Sequence, residues 1–150
     1  MVSTSPLPAS LASFEWTGSG GITLSASAAG PLGASTGVLF AHGFGQTRQA
    51  WTRSMLALGN TGVGSAAWDL RGHGQSGRNA PGQTYTVEQF IDDALAIRAT
   101  LPDPPVLVGA SMGGLVGLAA QARGARFAGL VLVDVTPKWE IAGMQRILAF

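Results

Sequence analysis

The stretch Pro105-Val106-Leu107-Val108-Gly109-Ala110-Ser111-Met112-Gly113-Gly114 decides the fold. A run of branched apolar residues leads into G-x-S-x-G, and an apolar segment of helical character follows. Strands buried on both faces read as such continuous apolar runs. A serine at the tight turn from strand to helix projects its hydroxyl above the sheet. Gly109 and Gly113 leave room for a crowded, strained backbone there. The next N–H, that of Met112, opens a helix and suits a developing oxyanion. Ser111 is therefore the candidate nucleophile for acyl transfer.

The surrounding sequence alternates strands and helices. Upstream, Gly37-Val38-Leu39-Phe40-Ala41 is a second continuous apolar run, ending in His42-Gly43-Phe44-Gly45. A helix is expected over Arg48 to Leu58, stopped by Gly59-Asn60, and a strand over Val63 to Trp68. Thr86-Val87-Glu88-Gln89 has the form of a capping box. It opens a helix whose Phe90, Ala94, Ile97 and Leu101 repeat at helical spacing until Asp103-Pro104-Pro105. After the Ser111 turn come a helix from Met112 to about residue 123 and a strand over Leu130 to Val133. Near the start, Phe14 to Thr17 and Ile22 to Leu24 read as strands joined by the turn Gly18-Ser19-Gly20-Gly21. That turn leads into a strand rather than a helix, so it is no phosphate cradle. The alternation indicates an α/β protein with a mostly parallel sheet.

Composition narrows the function classes. At 46% hydrophobic and 11% charged residues, the 150-residue chain builds a core beneath a weakly charged surface. The net charge of +1 and the lack of a basic cluster argue against a nucleic-acid partner. Cysteine is absent, which excludes disulfides and thiolate metal sites and suits a reducing cytoplasm, the expected location. Two histidines on separate loops are no ligand set, so neither metal nor cofactor is expected. Val106 to Ala122 is uncharged, but at about 17 residues it stands at the lower limit for a membrane span. Its glycines favour a strand, a turn and a helix over one spanning helix.

The segment Asp69-Leu70-Arg71-Gly72-His73-Gly74-Gln75-Ser76 adds a third motif. Together with the HGFGQ loop, the GASMGG turn and the LVLVDVTP strand end, it resembles the α/β-hydrolase superfamily. The resemblance is to the cap-bearing branch of esterases, cofactor-free haloperoxidases, epoxide hydrolases and dehalogenases. It covers roughly residues 14 to 150, with the motifs in the family's order. It implies an α/β-hydrolase fold, cut short after the sixth strand and the start of the cap. On that reading residues 1–12 are a flexible leader, 13–138 the N-terminal part of the core domain, and 139–150 the first helix of the cap.

The resemblance also implies roles. Epoxide hydrolases and dehalogenases of this fold carry Asp at the nucleophile position, whereas this chain carries Ser111. Serine favours ester hydrolysis, with peracid-forming and C–C-cleaving chemistries as relatives. The backbone N–H groups of Phe44 and Met112 become the oxyanion hole. His42, Gly43, Asp134 and Trp139 become candidate substrate-pocket residues. Asp134 stands where a few members carry the triad acid, although a cap on the Val135-Thr136-Pro137 turn is the plainer reading. In the family the DLRGHGQS segment is mainly structural, and a tie between Asp69 and Arg71 is expected.

The expected base is missing. The family order is Ser, then acid, then His, and no His follows Ser111. His42 reads as a buried loop anchor and His73 as a packing residue. The expectation is a hydrolase seen in its N-terminal half to two-thirds, taking a small ester-type substrate and inactive as 150 residues. Its Leu130–Val133 strand would then be an apolar edge, leaving residues 1–150 poorly soluble or partly molten. A catalytically silent binding protein on the same fold is the alternative. Oligomeric state is not legible.

Overall fold

A computed structural model describes residues 9–31 and 36–135. Among the described residues six strands form one sheet in the order β1-β2-β4-β3-β5-β6. They are β1 (Leu11–Thr17), β2 (Thr23–Ala29), β3 (Val38–Ala41), β4 (Ser65–Trp68), β5 (Val106–Ala110) and β6 (Gly129–Val133). Strands β3 to β6 run parallel, while β2 pairs antiparallel with both β1 and β4. Strand β1 begins at Leu11, so the last two residues of the expected leader are already paired, with Ala29 and Ala28. The expected cap helix and Trp139 lie outside the described residues.

Among the described residues three α-helices cover the sheet: α1 (Thr52–Asn60), α2 (Val87–Thr100) and α3 (Met112–Ala122). A 3-10 turn over Arg48–Trp51 replaces the first turn of the helix expected from Arg48. Two clusters mark the two faces. On one, Leu39, Trp68 and Leu107 of the sheet meet Phe90, Ile91 and Ile97 of α2 and Val116 and Ala120 of α3. On the other, Phe40 and Ala67 meet Met55 of α1, with Trp51 stacked on Phe40 at 4.8 Å between ring centroids. Strands β3 and β4 thus send alternate residues to opposite helical layers, as their unbroken apolar sequences require.

Local chemistry fixes the helix ends. The Thr86 hydroxyl accepts the Gln89 N–H, and the Gln89 side chain accepts the Thr86 N–H, closing the capping box. Helix α3 lies so near β5 that a side chain at Gly117 would run into Leu107. Within the described residues the supposed membrane stretch is β5, a turn and α3. No described helix is long and apolar enough to cross a membrane.

The topology sets the site. From β3 the chain crosses outward to β4, returns past β3 to β5, and continues to β6. The loops leaving β3 and β5 therefore diverge at the point where the winding reverses, which is where open α/β sheets form their crevice.

Candidate active site

Ser111 stands between β5 and α3 with φ 45° and ψ −115°. This is a conformation that L-residues rarely adopt, and it costs on the order of 1–3 kcal/mol. The surroundings hold it there. The Ser111 N–H donates to Val133 O of β6 at 3.0 Å, and its carbonyl accepts the Leu115 N–H in the first turn of α3. Glycines permit the close approach. An ideal Cβ on Gly109 would lie 2.5 Å from the Gly114 backbone, and one on Gly113 would lie 2.5 Å from the Ala41 carbonyl oxygen. The seryl side chain is exposed and makes no hydrogen bond among the described residues. Met112 N is the first N–H of α3 and so has no partner within the helix.

The pairing of β3 with β5 sets Ala41 opposite Gly109, which brings Gly43 level with Ser111. An ideal Cβ on Gly43 would lie 3.5 Å from Ser111 Cβ. Gly43 itself is buried, whereas Phe44 stands 77% exposed beside the site. The Gly43 carbonyl accepts two hydrogen bonds, from His42 Nδ1 at 2.8 Å and from the Gln46 N–H at 3.1 Å. That carbonyl belongs to the same trans peptide as the Phe44 N–H. The Phe44 N–H must therefore point away from both donors.

His42 is fully buried. Its Nε2 accepts the Leu70 N–H at 2.9 Å, leaving Nδ1 to donate to Gly43 O. Both nitrogens are occupied by the neutral ring, and burial pushes its pKa below the ordinary value. His42 is thus the anchor expected of it and stands under the loop. His73 packs edge-on against both His42 and Phe44, and its Nδ1 faces Arg71 O at 3.1 Å.

The DLRGHGQS segment is tied differently from the expectation. Asp69 pairs with Arg48, not Arg71. Its two oxygens also accept the Arg48 N–H at 2.7 Å and the Gln75 N–H at 2.9 Å. Arg48 further donates to Ser27 Oγ at 3.0 Å and Gln75 Oε1 at 2.6 Å. Arg71 instead forms a two-pronged pair with Asp93 of α2, at 2.7 and 2.8 Å, which raises its pKa. The reason is a turn: the chain leaves the extended conformation at Arg71 and Gly72 (φ 79°), so side chains two apart diverge. The sequence offered no sign of Arg48, whose partner lies on the next strand's loop.

Asp134 lies just past β6, exposed, at φ 54°. It is the second residue of positive φ at the top of adjacent parallel strands. No cluster of three or more His, Asp or Glu suited to a metal occurs among the described residues.

Comparison with known proteins agrees with this architecture. Residues 38–150 match the alpha/beta hydrolase family. An esterase of Mycobacterium tuberculosis is 37% identical over 108 residues, covering 70% of this chain and 35% of its own length. An epoxide hydrolase of Caballeronia sordidicola is 37% identical over 82 residues, covering 54% of this chain and 25% of its own. Among solved structures, an alpha/beta hydrolase from Novosphingobium aromaticivorans superposes with a TM-score of 0.80 at 28% identity, over 93% of this chain and 50% of that one. An epoxide hydrolase from Vigna radiata gives 0.74 at 26%, over 92% and 46%. The chain thus spans about a third or less of those curated relatives and about half of those structures.

Proposed function

The chain belongs to the alpha/beta hydrolase family, and from that premise we propose that it carries the nucleophile half of a serine hydrolase acting on small carboxylic esters. The observation that carries this reading is Ser111 at φ 45°, at the head of α3 and level with Gly43. An ordinary turn has no need of a strained serine held between packed glycines. In the family resemblance, epoxide-opening members carry Asp at this position, so Ser111 favours the ester chemistry.

In this reading Ser111 Oγ attacks the acyl carbon while its proton passes to a base. The carbonyl oxygen becomes an oxyanion held by the Phe44 and Met112 N–H groups. The alcohol leaves with the proton, and water then hydrolyses the acyl-serine to acid and free enzyme. The base is a histidine from outside these 150 residues, oriented by an acid. His42 has both nitrogens engaged, and His73 is the other histidine of the chain. His42, Gly43, Asp134 and Trp139 belong to the substrate side in this scheme, His42 through the loop it carries. The setting is cytoplasmic, and no cofactor takes part.

The test is fluorophosphonate labelling and p-nitrophenyl ester turnover by the full-length gene product. Covalent labelling at Ser111 is expected, with turnover lost by about a thousandfold or more in Ser111→Ala. An unlabelled protein, or a Ser111→Ala variant of full activity, sinks the proposal in favour of a silent binding protein on the same fold.

A further inference from the structure

The loop after β3 folds one polar side chain back onto itself. Gln46 Oε1 accepts the Gly43 N–H at 3.1 Å, and the Gln46 N–H donates to Gly43 O, also at 3.1 Å. Both backbone groups of Gly43 are thereby bound to one residue. Gly45, at φ 73°, provides the reversal that this needs.

The side-chain bond gives the buried Gly43 N–H its acceptor. Gln46 itself is exposed, so water competes for its amide and rotamer freedom is lost in making the bond. The bond also has a geometric effect. The bond to the Gly43 N–H fixes the peptide before Gly43, and the bond to Gly43 O fixes the peptide after it. The second of these carries the Phe44 N–H.

Position adds a further constraint. The ideal Cβ site of Gly43 is 3.2 Å from Gln46 Oε1 and 3.5 Å from Ser111 Cβ. The amide oxygen of Gln46 and Ser111 Cβ are therefore no more than 6.7 Å apart. A group so placed senses charge that develops beside Ser111. An amide can accept the Gly43 N–H without bringing a negative charge there, and a carboxylate cannot.

We propose that Gln46 is a positioning residue of the oxyanion loop: its side-chain amide holds the His42–Gly43 peptide and its backbone N–H the Gly43–Phe44 peptide, so that together they set the Phe44 N–H towards the reacting carbonyl, and the neutral amide keeps the site free of negative charge. This rests on the serine-hydrolase reading above.

The test compares wild type, Gln46→Glu and Gln46→Met in the full-length protein, with p-nitrophenyl acetate as substrate and thermal unfolding measured in parallel. Glutamate keeps an acceptor for the Gly43 N–H but adds charge, while methionine keeps the length and removes the acceptor. At pH 8 we expect kcat of Gln46→Glu to fall about tenfold, with KM and the unfolding midpoint little changed. The deficit relative to wild type should shrink as the pH is lowered through the range where a carboxyl protonates. Gln46→Met should lower kcat at every pH, and it decides the matter if the glutamate variant fails to fold. Wild-type kcat in both variants, or losses that merely follow the unfolding midpoint, overturn the inference while leaving the serine hydrolase intact. A wild type that neither turns over the ester nor labels at Ser111 removes the serine-hydrolase reading, and this inference with it.

Discussion

Gly113 rests directly on the carbonyl of Ala41: a Cβ there would stand 2.5 Å from its oxygen and 2.6 Å from its carbon. The second residue of α3 and the last residue of β3 meet backbone to backbone. The turn that carries Ser111 and the loop that carries Phe44 are therefore two sides of one contact.

That contact predicts the cost of a methyl group. Alanine in place of Gly113 gains helix propensity of about 1 kcal/mol, but it overlaps rigid backbone that has no rotamer to yield. Overlap wins, and Gly113→Ala should destabilise by about 2–3 kcal/mol. Gly62, at φ 85° with open space around it, separates the two effects. There alanine should cost only the dihedral penalty of about 1 kcal/mol. Urea unfolding of the full-length protein reads both, and equal losses would count against the packing argument.

Two ion pairs should differ sharply in worth. Asp69 is buried and serves Arg48 and two backbone N–H groups. Asp69→Ala leaves a buried guanidinium without its partner, at a cost of about 3–5 kcal/mol. Asp92 and Arg123 meet at 3.5 Å on the surface, with nearly half of each side chain exposed. Asp92→Ala should cost no more than about 0.5 kcal/mol. Paired denaturation curves decide, and comparable losses would refute the distinction.

His42 links stability to pH. Burial holds its folded pKa below the ordinary 6.5, so the folded state binds its proton less readily than the unfolded chain does. The His42 contribution is complete above pH 6.5 and is lost as the pH falls from there through the lowered folded value. The wild-type protein should lose stability between pH 7 and pH 5 more steeply than His42→Asn, which has no ring to protonate. Parallel slopes in the two proteins would show that His42 does not titrate as a buried neutral ring.

The cap of α2 is a local device with a local readout. Thr86→Ala removes the acceptor for the Gln89 N–H and should cost about 1 kcal/mol. Hydrogen exchange at the Gln89 amide should quicken well before exchange in the middle of α2. Uniform acceleration along the helix would instead mean that the cap acts on the whole fold.

Features confined to a few consecutive residues were legible in the sequence. The apolar runs of β3 and β5, the glycine turn around Ser111 and the Thr86–Gln89 box each declare themselves within a window of ten residues. The partner of Asp69 did not, because it depends on where the chain turns at Gly72 and on which loop lies across from it. The Gln46–Gly43 bonds are close in sequence, but a glutamine in a glycine loop carries no pattern that separates it from a solvated side chain. The start of β1 was hidden for another reason. Leu11 and Ala12 lie at the sheet's outer edge, exposed, where a residue's composition is little constrained by what it packs against. At the opposite edge the apolar character of β6 was plain, and Val131 and Val133 are 47% and 38% exposed.

The separation of these two loops along the chain has a consequence for how the molecule is made. Residue 43 precedes residue 111 in the chain, so the Gly43 loop leaves the ribosome well before the serine turn that sits against it. During synthesis it can be braced early by Gln46, then by Leu70 and Asp69 as the segment after β4 arrives. The serine turn, made last of these, closes against that loop where Gly113 meets the Ala41 carbonyl, so the two sides of the crevice depend on segments far apart in the chain.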